Sequence, residues 1–410
     1  MEEKLNVLVN AYAVSPAWGS EPGMGWNWVS NLASFCNLYV ITEGEWKNEI
    51  NVALKSHPYK DNLHFYYLPV SEDIRKKCWN QGDWRFYYHY RKWQNRALIK
   101  AKEIIKEVHI DIIHHLNMIG FREPGLLWTI EGIKYVWGPV GGMETMPIAY
   151  LKGAGLKTAL FNRFKNTINT FQYRYQPNVR KAMRRADAVV AATRGCQRKI
   201  MEFYHKDIFL LNETGCYLID KTFSQKGRTG VLNILWVGKY DFRKQLGLAI
   251  KAIAEVKDLN VRLRIAGEGE QAPYKTLAEE LGIEDKIVFL GKVNHDEMND
   301  LMQDSDVFLF TSIMDATSTV VMEAMQNQLP IVCFDTCGFG TVVNDQIGIK
   351  IPLSNPEQSV VDYGKALRML FQDRNKLSQL SVGCKERVQE FEWSYKAKKM
   401  VEIYNRVLEN

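Results

Sequence analysis

Along most of this chain, short apolar runs alternate with longer stretches in which apolar residues recur every three or four positions. In the first half the runs fall at 5–11, 38–41, 63–68, 110–114, 135–137 and 188–192. In the second half they fall at 232–237, 263–266, 287–290, 307–310 and 331–334. Runs this short and β-rich, without polar alternation, predict parallel strands buried on both faces, with the periodic stretches as intervening helices. Their repetition predicts an α/β fold of two doubly wound, Rossmann-like domains. The pattern lapses near 215–230, after Asn212-Glu213-Thr214-Gly215 and through the polar 224–230. That divides a first domain, 1–218, from a second, 219–392. Residues 393–408 read as an amphipathic helix, and periodicity alone does not say where it docks.

Composition changes this picture little. A length of 410 residues suits two domains, and a hydrophobic fraction of 46% excludes low-complexity disorder. Lys+Arg 53 against Asp+Glu 47, a net charge of +6, is too mild for a strongly basic nucleic-acid protein. Cysteines at 36, 78, 196, 216, 333, 337 and 384 include no Cys-x-x-Cys pair and read as reduced thiols. The acidic start Met-Glu-Glu-Lys is no secretory signal, and no run of about 18 apolar residues spans a membrane. A cytoplasmic protein is expected, free or resting on the inner face of the cell membrane.

The position of the charge matters more than its sum. Residues 74–102 hold nine cations against Asp83, interleaved with Trp79, Trp84, Phe86, Tyr87, Tyr88, Tyr90 and Trp93. Residues 152–185 hold nine cations and no acid. The remainder of the chain is therefore net acidic. Two basic, aromatic segments suit an anionic membrane surface or a polyprenyl-diphosphate acceptor. No nucleic-acid recognition motif accompanies them. The plain alternative is a pair of helices with aromatic cores and solvated cations.

Ligands of doubly wound sheets bind at the carboxyl ends of the strands, so the loops after the runs are the place to look, and two sheets suggest a cleft between domains. After the first run comes Gly19-Ser20-Glu21-Pro22-Gly23-Met24-Gly25, then a helix expected from Trp26. Gly23 and Gly25 there suit an anion or acceptor loop. A dinucleotide reading, with Glu43 as the ribose acid, meets the wrong glycine spacing. Gly141, Gly142 and Glu144 follow the run at 135–137, with Glu144 a candidate partner for an acceptor hydroxyl. In the second half, Gly238, Lys239, Arg243 and Lys244 follow 232–237 and suit a diphosphate. Gly267 lies on the same sheet edge. After 307–310, Ala316, Thr317, Ser318 and Thr319 open a helix whose N–H groups can face an anion. Asp315 and Glu323, eight residues apart, suit two hydroxyl-bearing parts of one elongated ligand better than a metal. The plain alternative is a helix-capping Asp and a buried, paired Glu.

Taken together, Val237–Lys244, Ala266–Gly269, Phe289–Val293 and Asp315–Met325 followed by Pro330-Ile-Val resemble the retaining glycosyltransferases of family 4, over about 231–352. Gly19–Trp26, Trp137–Gly142 and Glu213-Thr-Gly215 resemble one branch of that family. The resemblance implies the two-domain GT-B fold, with the C-terminal helix crossing back to the first domain. It implies that Glu323 binds the ribose of a nucleotide-sugar and that Asp315, where the family usually has Glu, contacts the donor sugar. Lys239, in place of the usual Arg, and Lys244 are to face the donor diphosphate. Ala316-Thr317-Ser318 replaces the more common Gly-aromatic-Gly, and Val293 falls where the backbone reads the base. In Asp111-Ile-Ile-His114-His115-Leu116-Asn117, Leu116 occupies the place of the family's second His. His114, His115 and Asn117 stay open as its substitutes, with His114 the catalytic candidate.

The activity so implied is transfer of a sugar from a nucleoside-diphosphate donor to a saccharide or lipid-linked acceptor, with retention, in bacterial surface-polysaccharide or glycolipid assembly. Lys239, Lys244 and the helix start would stabilise the departing diphosphate, so no cofactor or metal is expected. The rivals are a nucleotide-sugar 2-epimerase of the same fold and a non-catalytic nucleotide-sugar- or glycan-binding subunit.

Overall fold

In the computed structural model, which describes residues 4–79, 85–219 and 230–409, the chain builds two parallel sheets. The first contains β1 (Asn6–Asn10), β2 (Asn37–Thr42), β3 (Leu63–Tyr67), β4 (Ile112–His115), β5 (Lys134–Val140), β6 (Ala188–Ala191) and β7 (Phe209–Leu210). Its strand order is β3-β2-β1-β4-β5-β6-β7. The second contains β8 (Leu232–Val237), β9 (Val261–Ala266), β10 (Ile287–Gly291), β11 (Val307–Phe310), β12 (Ile331–Phe334) and β13 (Gly348–Ile351), in the order β10-β9-β8-β11-β12-β13.

Every apolar run found in the sequence lies in or overlaps one of these strands. The strands without a run, β7 and β13, are sheet edges. Lys350 stands within the edge strand Gly348–Ile351, where its ammonium pairs with Asp335 Oδ1 at 3.0 Å. Central strands are buried on both faces: Val7 and Val9 of β1 join one apolar cluster, while Leu8 joins another.

Two compact units result. One comprises 1–143, 168–213 and 393–410; the other comprises 144–167 and 214–392. The segment 144–167, placed in the first domain on sequence grounds, thus groups with the second unit. Helix Leu156–Tyr175 carries the chain from one unit to the other. The boundary stretch 220–229 and residues 80–84 of the basic segment, including Asp83 and Trp84, lie outside the described residues.

Helix Trp393–Glu409 packs in the first unit. Its Trp393 ring meets Trp28 edge-on at 5.5 Å. Buried Lys396 donates to Asn212 O at 2.6 Å and lies 5.2 Å from the Trp28 ring centroid. A cation buried to this degree is tolerated because a carbonyl and an aromatic face replace water.

The strand orders place a topological switch point in each unit, between β1 and β4 and between β8 and β11. At such a point successive connections leave in opposite directions, and the loops part to form a crevice at the strand carboxyl ends. Among the described residues, no helix is long and apolar enough to cross a membrane.

Candidate functional site

At the β8–β11 switch point the chain leaves β8 through Gly238 and forms the short turn Phe242–Lys244. Asp241 caps this turn: Oδ1 accepts from Arg243 N at 2.8 Å and Oδ2 from Arg243 Nη2 at 3.1 Å. The turn delivers Lys244 Nζ to Asp315 Oδ2 at 2.5 Å, both side chains being mostly buried. Thr311, just after β11, donates to Lys244 O at 2.7 Å and accepts from Trp236 Nε1 at 3.0 Å. The backbone of Lys244 is therefore tied to the ends of two neighbouring strands. Its ammonium also lies 5.1 Å from the Phe310 ring centroid.

Asp315 is held as firmly. Its Oδ1 accepts from Ala316 N at 3.0 Å, and its own N–H points at Cys337 Sγ, 3.5 Å away. Burial first, and then the charge of Glu144, pushes the Cys337 thiol up to about 12. By its contacts Glu144 falls in the second unit with Asp315, and Gly141 and Gly142 in the first.

The loops after β8 and β9 are in contact at their glycines. A Cβ on Gly267, whose φ is +156°, would lie 1.8 Å from Gly238 O, so only hydrogen fits there. Gly267 N donates to Gly291 O at 2.8 Å, which brings in the loop after β10 and Val293 beyond it. Lys292 pairs with Glu268 at 2.9 Å. That bond, with the exposed Lys239 adding to it, holds the Glu268 carboxyl below its ordinary value.

Helix Thr319–Gln326 opens after Ser318, whose φ is +69° and whose side chain makes no capping hydrogen bond. Thr317 is buried behind that turn, and Gly338 N donates to Ala316 O at 3.1 Å. Glu323 lies four residues past Thr319 and so shares the face of the helix start. Lys244, Asp315, Ala316–Thr319 and Glu323 thus come from one switch point. Gly238, Lys239, Gly267 and Val293 line the neighbouring strand ends.

The first unit departs from expectation. Its helix begins at Ser20, six residues before Trp26, so Gly23 and Gly25 lie in its first turns rather than in an open loop. Gly25 is buried where a Cβ would meet Ala13 O at 2.3 Å and Asn117 Nδ2 at 2.7 Å. These glycines let the start of the helix pack against the segment after β1. Gly141 N donates to Ile119 O at 2.7 Å, and Gly142 O accepts from Asn169 Nδ2 at 3.2 Å.

His114 also has a different task from the catalytic one expected of it. It is wholly buried on β4, with Nδ1 2.6 Å from Tyr404 Oη and Nε2 2.6 Å from Gly138 O. The geometry requires Nε2–H to donate to the carbonyl and Nδ1 to accept from the tyrosine. Burial pulls its pKa down to about 4, and that of His115 to about 3. His114 fastens the C-terminal helix to the sheet. Asn117 pairs with Ala13 N and O and holds the turn after β1.

Three residues escaped sequence reading: Thr311, Cys337 and Glu21. The first two carried no signal beyond following a strand. Glu21, the one acid within Gly19–Gly25, did carry one. It accepts from Ile119 N at 2.7 Å, and burial pushes its carboxyl up to about 7.

Residues 220–384 match the family described as Glycosyl transferases group 1. An uncharacterised glycosyltransferase of Methanocaldococcus jannaschii is 28% identical over 180 residues, 43% of this chain and 45% of that protein. A sulfoquinovosyl transferase of Arabidopsis thaliana is 30% identical over 161 residues, 39% of this chain and 30% of that protein. The similarity spans less than half the length of these curated relatives. Among solved structures, a glycosyltransferase from Rickettsia africae superposes with a TM-score of 0.62 at 17% identity, over 99% of each chain. The fold is of the GT-B class, with two Rossmann-like parallel-sheet domains in one chain.

Proposed function

We propose, from the glycosyl transferases group 1 domain at 220–384, that this chain is a retaining glycosyltransferase of family 4. It moves a sugar from a nucleoside-diphosphate donor to an acceptor hydroxyl, in the assembly of a bacterial surface polysaccharide or glycolipid. The observation that carries this reading is the Lys244–Asp315 pair at the β8–β11 switch point, beside the start of helix Thr319–Gln326. An elongated anion with hydroxyls at both ends fits that set. Lys239, Lys244 and the N–H groups at the helix start stabilise the departing diphosphate. Asp315 receives hydroxyls of the donor sugar and Glu323 those of the ribose. With positive charge so provided, the reading needs no metal or cofactor, and attack comes from the face the diphosphate leaves.

A thermal-shift panel of nucleotide-sugars, followed by transfer assays, tests it. One nucleotide-sugar is expected to raise the melting temperature, and Glu323→Gln and Lys244→Ala are expected to weaken that shift. Full binding and transfer in both variants would overturn the assignment. An isomerised donor formed without acceptor would favour the epimerase.

A second reading, membrane association, rests on helix Leu156–Tyr175. Leu156, Leu160, Phe161, Phe164, Ile168, Phe171 and Tyr175 are all exposed and share one face, an arc of about 140° at roughly 100° per residue. Lys157, Arg163, Lys165 and Arg174 lie on or beside that face, and the helix holds no acid. Such a face suits the headgroup region of an anionic leaflet, at the inner surface of the cell membrane. Flotation with phosphatidylglycerol vesicles but not with phosphatidylcholine vesicles is expected, and equal behaviour with both would remove this reading.

A further inference from the structure

A cavity of 330 Å³ lies wholly within the first unit, away from its switch point. Three helices wall it: the end of Leu156–Tyr175, the body of Pro177–Arg185 and the end of Arg194–Tyr204. Arg184 stands four residues before β6 and His205 four before β7, so the cavity lies by the amino ends of these strands. Ligands of a doubly wound sheet collect at the other edge, by the carboxyl ends. The transfer reading makes no use of this one.

Three guanidiniums, Arg174, Arg180 and Arg184, line the cavity, and no carboxylate is among the lining residues. Arg180 and Arg184 share a helix face four residues apart, where like charges disfavour the helix. Arg185, next along the same helix, pairs with Asp187 at 2.9 Å and donates to Ile130 O and Ile133 O. Among the described residues no ion-pair partner of that kind serves Arg174, Arg180 or Arg184.

Nor are the three needed to close helix ends. Lys206 Nζ donates to Met183 O at 3.2 Å and to Ala186 O, and Tyr204 Oη donates to Tyr173 O. Carbonyls in the last turns of two of the walls thus already have donors. Arg174 lies 4.2 Å from the Phe203 ring centroid, and a stacked guanidinium keeps its planar N–H edge for an oxygen. Burial raises the Tyr204 phenol above its ordinary value, and Arg180 and Arg184 draw it back, so both guanidiniums act on one hydroxyl.

We propose that this cavity is a phosphate-binding site, in which Arg180 and Arg184 grip the phosphate oxygens and Arg174, stacked on Phe203, supplies a third fork. The charge selects the class. Planar forks match phosphate bidentately, and with no acid on the wall an anion meets net attraction. A neutral ligand would leave three like charges facing one another. The volume is at the lower end for small-molecule sites and suits a phosphate with a small group attached.

Two sources present that chemistry. Tyr175 lines the cavity and meets the Phe171 ring at 5.2 Å, and both are exposed on the apolar face of helix Leu156–Tyr175. A phospholipid would set its headgroup phosphate on the arginines and its chains along that face. A soluble phosphate ester meets the same arginines without the chains. The lipid form extends the membrane reading, while the site itself rests neither on that reading nor on transfer.

Isothermal titration of the full chain tests the site, in the parent and in a Lys244→Ala background that weakens the diphosphate site of the second unit. The probes are inorganic phosphate, sn-glycerol 3-phosphate and monomeric dioctanoyl phosphatidylglycerol. At least one should bind in the Lys244→Ala background. Arg180→Gln with Arg184→Gln should weaken it about 10–100-fold, the loss of hydrogen bonds between charged groups. Arg174→Ala, on another helix, should weaken it too and keeps the test decisive should the double variant fold poorly. Lys181→Gln with Arg198→Gln removes the same charge from exposed positions outside the cavity. That pair should change affinity less than about twofold, because distant exposed charge is screened.

Flotation with phosphatidylglycerol vesicles separates the sources. Flotation lost in the Arg180/Arg184 variant, with the dioctanoyl lipid the tightest probe, assigns a lipid headgroup. A small phosphate as the tightest probe, with flotation unchanged in that variant or absent in the parent, assigns a soluble ester. Three results would overturn the site: no probe bound, binding unchanged when the cavity arginines are replaced, or an equal loss in the Lys181/Arg198 pair. No arm uses a nucleotide-sugar, so failure of the transfer reading leaves the outcome readable.

Discussion

Lys244 and Asp315, 71 residues apart in sequence, meet through a 2.5 Å ion pair where the strand order of the second sheet reverses. Neither charge could sit so deeply without a partner, since an unpaired ion at this depth bears most of its desolvation cost. The pair thus keeps a cation ready at the strand ends. On the proposed function, an arriving diphosphate would take over the compensation of Lys244 and release Asp315 toward sugar hydroxyls.

The two partners should therefore fail differently. Lys244→Ala is expected to weaken nucleoside-diphosphate binding about 10–100-fold, the loss of one charge-assisted contact together with a buried countercharge left behind. Asp315→Asn removes the competitor, so bare nucleoside diphosphate should bind as tightly as before or more so, while transfer falls. Calorimetric titration with the nucleoside diphosphate, beside kcat for transfer, separates the two.

The contact between Gly238 and Gly267 predicts a steep penalty. In Gly267→Ala the new methyl would fall 1.8 Å from a carbonyl oxygen, and its φ of +156° is strained for any L side chain. The loops must separate, at a cost of about 2–3 kcal/mol. Chemical denaturation should show that loss, and nucleotide-sugar affinity should drop with it because Lys239 and Lys244 ride on the displaced loop.

His114 should matter for stability and not for chemistry. Tyr404→Phe leaves Nδ1 of a buried ring without its donor, which costs about 1–2 kcal/mol. Turnover per folded molecule should be unchanged. Both buried histidines have folded-state pKa values below the ordinary 6.5, about 4 for His114 and about 3 for His115. The unfolded chain therefore binds the additional protons, and the stability these groups contribute is full above pH 6.5 and is lost as pH falls toward 4. Thermal denaturation of the parent between pH 7 and pH 4 should show this loss, and replacing both histidines by glutamine should flatten it.

Glu21 has the opposite linkage. Its folded pKa of about 7 lies above the ordinary 4.5, so the folded state holds the proton more tightly. The stability it contributes is full below pH 4.5 and is lost as pH rises through 7. Glu21→Gln, which is neutral throughout, should gain on the parent in melting temperature between pH 5 and pH 8. A constant gap across that range would show that Glu21 stays ionised.

Both sheets were legible in the sequence because their central strands are buried on two faces, which forces short, unbroken apolar runs. The place of the second unit's candidate site was legible for a related reason. Gly238–Lys244 and Asp315–Glu323 each follow such a run directly, so each motif inherits a place at a strand end from the strand before it. The strands β7 and β13 were not legible: β7 is only 2 residues long, and in β13 a glycine and Lys350 break the apolar run.

Tertiary structure decided which strand ends are neighbours, and with that which residues meet. No local pattern pairs Lys244 with Asp315, and none pairs His114 with Tyr404, 290 residues away. A histidine at a strand end reads the same in sequence whether it faces a ligand or a tyrosine of the last helix. The glycines at 23 and 25 likewise read as a loop until packing showed them inside a helix that has to approach a backbone closely. Hydrophobic burial is written residue by residue and survives in the sequence alone. Contacts between strand ends depend on strand order and chain crossings, and these exist only once the sheet has closed.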